Sequence, residues 1–182
     1  IPLIQYVLQF VRHLQPEKII VVGGYNSVML QDAIADENIH YLKNSDYTKG
    51  NLYSLNCASS FLADDFIQFN TDHLYPRKLL DLIRNPGEGI FLLSDFDRRL
   101  FDDDMKIRIA DRSEQGARIT AISKKLETFD GGYCGVTLVK GKGLKPDLAA
   151  LDNVLERGEE QAVVEDVISE LIRTGSHPEV LD

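Results

Sequence analysis

Short β-branched runs alternate with helical stretches from the start of the chain to Leu93, and this alternation limits the fold more than any other feature. Leu3, Tyr6, Val7, Phe10, Val11 and Leu14 recur at spacings of three and four, which predicts an amphipathic helix with its apolar face inward. Pro16 ends it, because proline lacks the donor a further turn needs. Residues 18–22 read as a buried strand entering the Gly23-Gly24 turn, and Asn26 or Ser27 can cap a second helix running to about Ala35. Residues 39–42 follow as a strand, 52–62 as a helix, 66–69 as a strand, 76–84 as a helix and 89–93 as a strand. Strands joined through helices need crossover connections, and crossovers place helices on both faces of a parallel sheet.

The period then changes. Residues 105–110 and 118–124 alternate around a polar turn, Ser113 to Gly116, as an antiparallel hairpin does. A further strand is expected at 133–139, then helices at 147–156 and 162–173, the last stopped by Gly175 and Pro178. No repeat, low-complexity segment or linker interrupts the chain, so its 182 residues read as one domain, large enough for a sizeable core. The chain opens with Ile1-Pro2 directly into a helical pattern and closes on the strand-like Val180-Leu181-Asp182, so parts of the domain are expected beyond both ends.

Composition narrows the partners. With 43% hydrophobic and 27% charged residues this is a soluble globular chain. It has no apolar run near the roughly 18 residues of a membrane span and no signal-peptide pattern, so no membrane partner is expected. Cys57 and Cys134 form no metal or disulfide spacing and fit a reducing cytoplasm. A net charge of -9 with no basic stripe argues against nucleic acid, while a single nucleotide stays within reach of one metal ion and a few backbone amides.

In an open parallel sheet ligands sit at the carboxyl ends of the strands. Three polar segments fall there, each with an ordinary alternative. In Thr48-Lys49-Gly50-Asn51, Gly50 lets the backbone approach a ligand and Asn51 can cap the following helix; a plain capped turn is the alternative. In Asn70-Thr71-Asp72-His73, the Asp72 carboxylate suits Mg²⁺, a hard ion that prefers oxygen; helix capping is the alternative. Asp95 ends a strand in Asp95-Phe96-Asp97-Arg98, and the acidic run Asp102-Asp103-Asp104 follows, which reads most simply as a solvated turn. Lys124 closes the hairpin, where it could meet a phosphate or remain solvated. The chain contains no G-x-x-x-x-G-K-[ST], G-x-G-x-x-G or G-x-S-x-G.

The order of these segments carries a resemblance. Lys49-Gly50-Asn51-Leu52-Tyr53-Ser54-Leu55, then Phe69-Asn70-Thr71-Asp72-His73-Leu74-Tyr75, resembles the MobA-like and sugar-nucleotide pyrophosphorylase superfamily, most of all its inositol-1-phosphate and phosphocholine cytidylyltransferases. Asp103-Asp104-Met105-Lys106-Ile107-Arg108, Ile122-Ser123-Lys124-Lys125-Leu126 and Phe129-Asp130 continue it in register. The resemblance implies an α/β fold, a Rossmann-like three-layer α/β/α sandwich, mostly parallel with an antiparallel hairpin insertion. It also implies that the domain's first strand, with a glycine-rich loop, and its C-terminal metal-binding strand lie outside residues 1–182. By the same resemblance Asp72 holds Mg²⁺ and is catalytic, and Lys49, Gly50 and Asn51 bind the nucleotide. Asp95 and Lys124 face the acceptor, Lys124 with a catalytic part. Where the relatives place an Asp before Thr-Gly, this chain has Gly132-Tyr133-Cys134-Gly135.

The expected activity is therefore transfer of a nucleoside monophosphate, with CTP the favoured donor, to a small phosphorylated or phosphonate acceptor. A hexose-1-phosphate pyrophosphorylase using UTP, GTP or dTTP is the second expectation, and a catalytically silent nucleotide-binding relative the third. The expected site is cytoplasmic, and a homodimer is left open.

Overall fold

A computed structural model describes residues 1–35, 38–110 and 116–182. In chain order the elements are α1 Leu3–Arg12, β1 Ile19–Gly23, α2 Ser27–Ala33, β2 Ile39–Lys43, α3 Leu52–Cys57, β3 Phe66–Phe69, α4 Leu79–Arg84 and β4 Gly89–Asp95. Then come β5 Lys106–Ile109, β6 Ile119–Ser123, β7 Gly131–Lys140, α5 Leu144–Arg157, α6 Val164–Arg173 and β8 Glu179–Leu181. The expected helix at 52–62 divides into α3 and a 3₁₀ turn at Ser59–Phe61. The tip of the expected hairpin, 113–115, lies outside the described residues.

The fold is mixed α/β with a central sheet and helices on both faces. β1 and β2 pair in parallel. In the six-stranded sheet the order is β6-β5-β7-β4-β8, and β3 also pairs with β7. Because β3, β4 and β5 are each antiparallel to β7 and β8 is parallel to β4, four of the six strands run one way, against β6 and β7. β5 and β6 form the expected antiparallel pair. The alternation did not foretell that β7 would return between β3 and β4. A strand's place in a sheet is set by which partner buries its two faces, and the run from Tyr133 to Val139 is apolar on both.

That two-sided burial builds the layers. Along β4, Ile90 and Leu92 pack with Leu151, Val154, Val167 and Leu171 of α5 and α6, while Phe91 and Leu93 pack with Phe10, Leu80 and Ile83 of α1 and α4. Along β7, Tyr133 and Val139 join the first layer, Val136 and Leu138 the second. Successive strand residues point to opposite faces, so each strand serves both layers. The other end of α1 packs Ile4 and Leu8 on Val21 and Ile34, which covers β1 and β2.

The α5–α6 pair is locked by a buried carboxylate. Glu170 is only 2% exposed and accepts hydrogen bonds from Arg173 Nη2 at 2.7 Å, Arg157 Nη1 at 2.9 Å and Asn153 Nδ2 at 3.0 Å. Arg173, then Arg157, hold its carboxyl far below the usual range, at about 2. A buried charge persists only when paired and hydrogen-bonded in this way.

Candidate active site

The carboxyl end of β3 lies against the middle of β7, and the carboxyl end of β4 against its start. Asn70 leaves β3 by donating its backbone N–H to Gly135 O at 2.8 Å, and Tyr75 Oη donates to Asn70 O and Gly135 O at 3.0 and 3.3 Å. Gly135 has φ +73°, and a Cβ there would stand 2.9 Å from the Asn70 side chain. Only glycine accepts both conditions. The loop so anchored presents Asp72 to solvent, its side chain 77% exposed, with His73 Nδ1 at 2.6 Å from Oδ1.

Lys49, Gly50 and Asn51 form a second wall, built by a segment remote in sequence. Gly50 has φ +114°, and a Cβ there would overlap the carbonyl oxygen of Ala162. Leu52 N–H donates to that oxygen at 3.2 Å, and Gln161 Nε2 donates to Thr48 O at 2.6 Å. Asn51 does not cap the helix that follows it; its Oδ1 accepts from Val164 N–H at 2.9 Å, the start of α6. The opposite half of that cap is Asp166 Oδ2, which accepts from Val163 N–H at 2.8 Å. Lys49 is exposed, paired with Asp46 Oδ1 at 2.9 Å, with its ammonium 5.6 Å from the centre of the Tyr53 ring. We expect Asn51→Ala to cost about 1 kcal/mol by orphaning a first-turn donor, and Asn51→Asp, which keeps the acceptor, to cost much less. Urea melts of the two variants give the answer; equal losses would mean that the cap is not what Asn51 contributes.

On the third side a chain of charges links Asp95 to Lys124. Asp95 Oδ1 accepts the backbone N–H groups of Asp97 at 2.9 Å and Arg98 at 3.3 Å, so this carboxylate shapes its own turn. Arg98 Nη2 donates to Asp104 Oδ1 at 3.0 Å, and Asp104 Oδ2 accepts from Phe101 N–H at 2.7 Å, which with Arg98 holds the Asp104 carboxyl below its usual range. Lys124 Nζ pairs with Asp103 Oδ1 at 2.8 Å, which raises the ammonium's affinity for its proton. The acidic run is therefore bonded into the loop through Asp103 and Asp104 rather than merely solvated.

Two buried carboxyls escaped the sequence reading. Glu165, on the first turn of α6, is 8% exposed; burial raises its carboxyl most and Asp166 raises it further, while Lys124 lowers it and Asp72 raises it by smaller amounts. Asp72 and Lys124 thus both lie within electrostatic reach of one side chain. Asp147 of α5 is 3% exposed, and burial alone pushes it up to about 7. Both line a small cavity with Gln68, Tyr133 and Thr137, between β3, β7 and helices α5 and α6. A signal existed only for Glu165, which flanks the apolar face of Val164, Val167, Ile168 and Leu171.

Among the described residues no group of three or more His, Cys, Asp or Glu side chains is arranged to hold a metal ion. Asp72 alone fits Mg²⁺ in the manner of an ion shared with phosphates: a hard, exposed oxygen donor, the remaining positions going to phosphate oxygens and water. No helix among the described residues is long and apolar enough to cross a membrane.

No protein-family model matches the sequence, and no curated protein matches it significantly. Solved structures do. The inositol-1-phosphate CTP transferase of T. maritima superposes with a TM-score of 0.77 at 17% identity, over 99% of this chain and 72% of its own. The CTP:phosphocholine cytidylyltransferase LicC of Streptococcus pneumoniae gives 0.64 at 17% identity, over 100% and 76%. A UDP-glucose pyrophosphorylase complexed with UDP-glucose gives 0.69 at 13%, over 100% and 78%. The chain has the fold of these nucleotidyltransferases. Within this nucleotidyltransferase fold the walls described above occupy strand ends, the place where open α/β sheets bind ligands.

Proposed function

We propose that the chain transfers a nucleoside monophosphate from a triphosphate, with CTP the favoured donor, to a small phosphorylated or phosphonate acceptor, releasing pyrophosphate. One observation supports the reading most: Asn51 closes on the first residue of α6, and the next residue, the buried Glu165, lies within electrostatic reach of both Lys124 and Asp72. In this reading a carboxylate suited to Mg²⁺ and a lysine suited to phosphate act on the same bound substrates. The fold shared with two cytidylyl-transferring proteins supports the choice of donor.

In this reading a phosphate oxygen of the acceptor attacks the α-phosphorus, the bond from that phosphorus to the α–β bridging oxygen breaks, and pyrophosphate leaves with the electron pair. No protein nucleophile is required, so catalysis rests on positioning and charge neutralisation. Asp72 would hold Mg²⁺, which when bound would supply neutralisation of the triphosphate. The Gly50 backbone admits the nucleotide close to the wall, Lys124 meets the acceptor phosphate as a point charge, and Asp95 keeps the acceptor-side turn in shape.

A hexose-1-phosphate pyrophosphorylase is the second reading, favoured by the likeness to the UDP-glucose enzyme. Pyrophosphate release with Mg²⁺, measured for CTP, UTP, GTP, ATP and dTTP against phosphorylated alcohols, phosphonates and hexose 1-phosphates, separates the two. We expect release with CTP and one alcohol phosphate or phosphonate. Release with UTP and a hexose 1-phosphate selects the second reading, and silence across the panel with nucleotide still bound rejects both.

A further inference from the structure

The side chain that joins the two halves of the acceptor end is one that neither the expected site nor the proposed reaction uses. Lys106 opens β5 and is only 5% exposed. Its ammonium donates to Lys124 O at 2.8 Å and to Asp102 O and Asp104 O at 3.4 Å each, and it lies 5.8 Å from the centre of the Phe129 ring. An ammonium has three donors, and three carbonyl oxygens take them. Among the described residues no carboxylate forms an ion pair with Lys106. Such a buried cation is costly and persists only where its surroundings are built around it.

The acceptors come from two different segments. Asp102 and Asp104 belong to the connection between β4 and β5, and Lys124 to the turn after β6. Those segments also meet outside, where Lys124 Nζ reaches Asp103 Oδ1. Beyond the β5–β6 ladder, which ends at the Lys106–Ser123 pair, cutting the inner tie leaves that exposed pair between the two segments, and exposed pairs contribute little, about 0–1 kcal/mol.

We propose that Lys106 is a positioning residue, an internal cation that ties the 102–104 segment to the Lys124 turn and thereby places the Lys124 ammonium for the acceptor's phosphate. Its catalytic consequence rests on the function proposed above; the tie itself does not.

Two measurements on Lys106→Met separate these levels. Amide hydrogen exchange reads the tie without turnover: exchange at 101–104 and at 124–127 speeds at least about tenfold, while α5 and α6 keep their protection. Unchanged exchange, or a change spread evenly over the chain, overturns the proposal. Steady-state kinetics read the placement: KM for the acceptor rises about tenfold with KM for the triphosphate within about twofold, and Lys106→Met adds almost nothing in a Lys124→Met background. Additive losses, or equal losses for both substrates, overturn it. A wild-type protein silent with every triphosphate rejects the proposed reaction instead, and the exchange result still decides the tie. If Lys106→Met does not fold, Lys106→Gln, one bond shorter and uncharged but with two donors, carries the same measurements.

Discussion

Asp72→Asn lowers the rate of pyrophosphate release at least about a thousandfold, a barrier increase of about 4 kcal/mol, and leaves the melting temperature within a few degrees of wild type. The size follows from the lost charge. An amide offers an oxygen of similar shape but cannot neutralise an ion shared with a triphosphate. The harmless effect on the fold follows from exposure: the Asp72 side chain is 77% exposed and pairs with the neighbouring His73. Activity within about tenfold of wild type would remove Asp72 from the metal assignment. A large fall in stability would instead make it a structural residue of the β3 loop.

The second large effect is on stability and depends on pH. Asp147 titrates at about 7 in the folded chain because burial disfavours its ionised form. An unfolded aspartate titrates at about 3.9. Between these values the folded state holds a proton that the unfolded state lacks, so stability falls as pH rises through the window, and the full penalty stands above pH 7. Three units correspond to about 4 kcal/mol as an upper bound, since relaxation and water entry soften it. Asp147→Asn removes the ionisation and keeps the shape. Urea melts at pH 5 and pH 8 are expected to show a gap between variant and wild type that opens by up to about 2.6 kcal/mol at the higher pH, the rest of the penalty being already present at pH 5. A gap that is the same at both pH values would mean that Asp147 finds a partner when it ionises. Glu165, raised in the same direction on the neighbouring helix, contributes to the wild-type slope in both proteins and leaves the gap unaffected.

How much of this was legible in the sequence differs with the kind of residue. The strands at 39–42 and 66–69 and the helix at 162–173 were visible because their apolar spacing is local, and local spacing is what a single chain displays. The place of β7 between β3 and β4 was not, since strand order is a bargain among distant segments. Asp72 stood out because it follows an apolar strand directly. Asn51 was read correctly as a cap but on the wrong helix: its acceptor is satisfied by Val164, which no local window contains. Lys106 and Asp147 stayed hidden for one physical reason. Charged side chains are normally at the surface, and only the folded structure reveals the few that are not. Asp95 lies where the strand pattern put it, and its carboxylate is spent on its own turn.

The wall around Gly50 has a history as well as a geometry. Gln161 and Thr48 are 113 residues apart, as are Val164 and Asn51. A nascent chain leaving the ribosome makes Lys49, Gly50 and Asn51 long before it makes the segment they close against, a delay of about 5–20 s at ordinary rates of synthesis. During that interval the Gly50 turn has nothing to close against, and a chain released before Val164 would never acquire that support. The final shape of the Gly50 turn is thus among the last features the growing polypeptide gains.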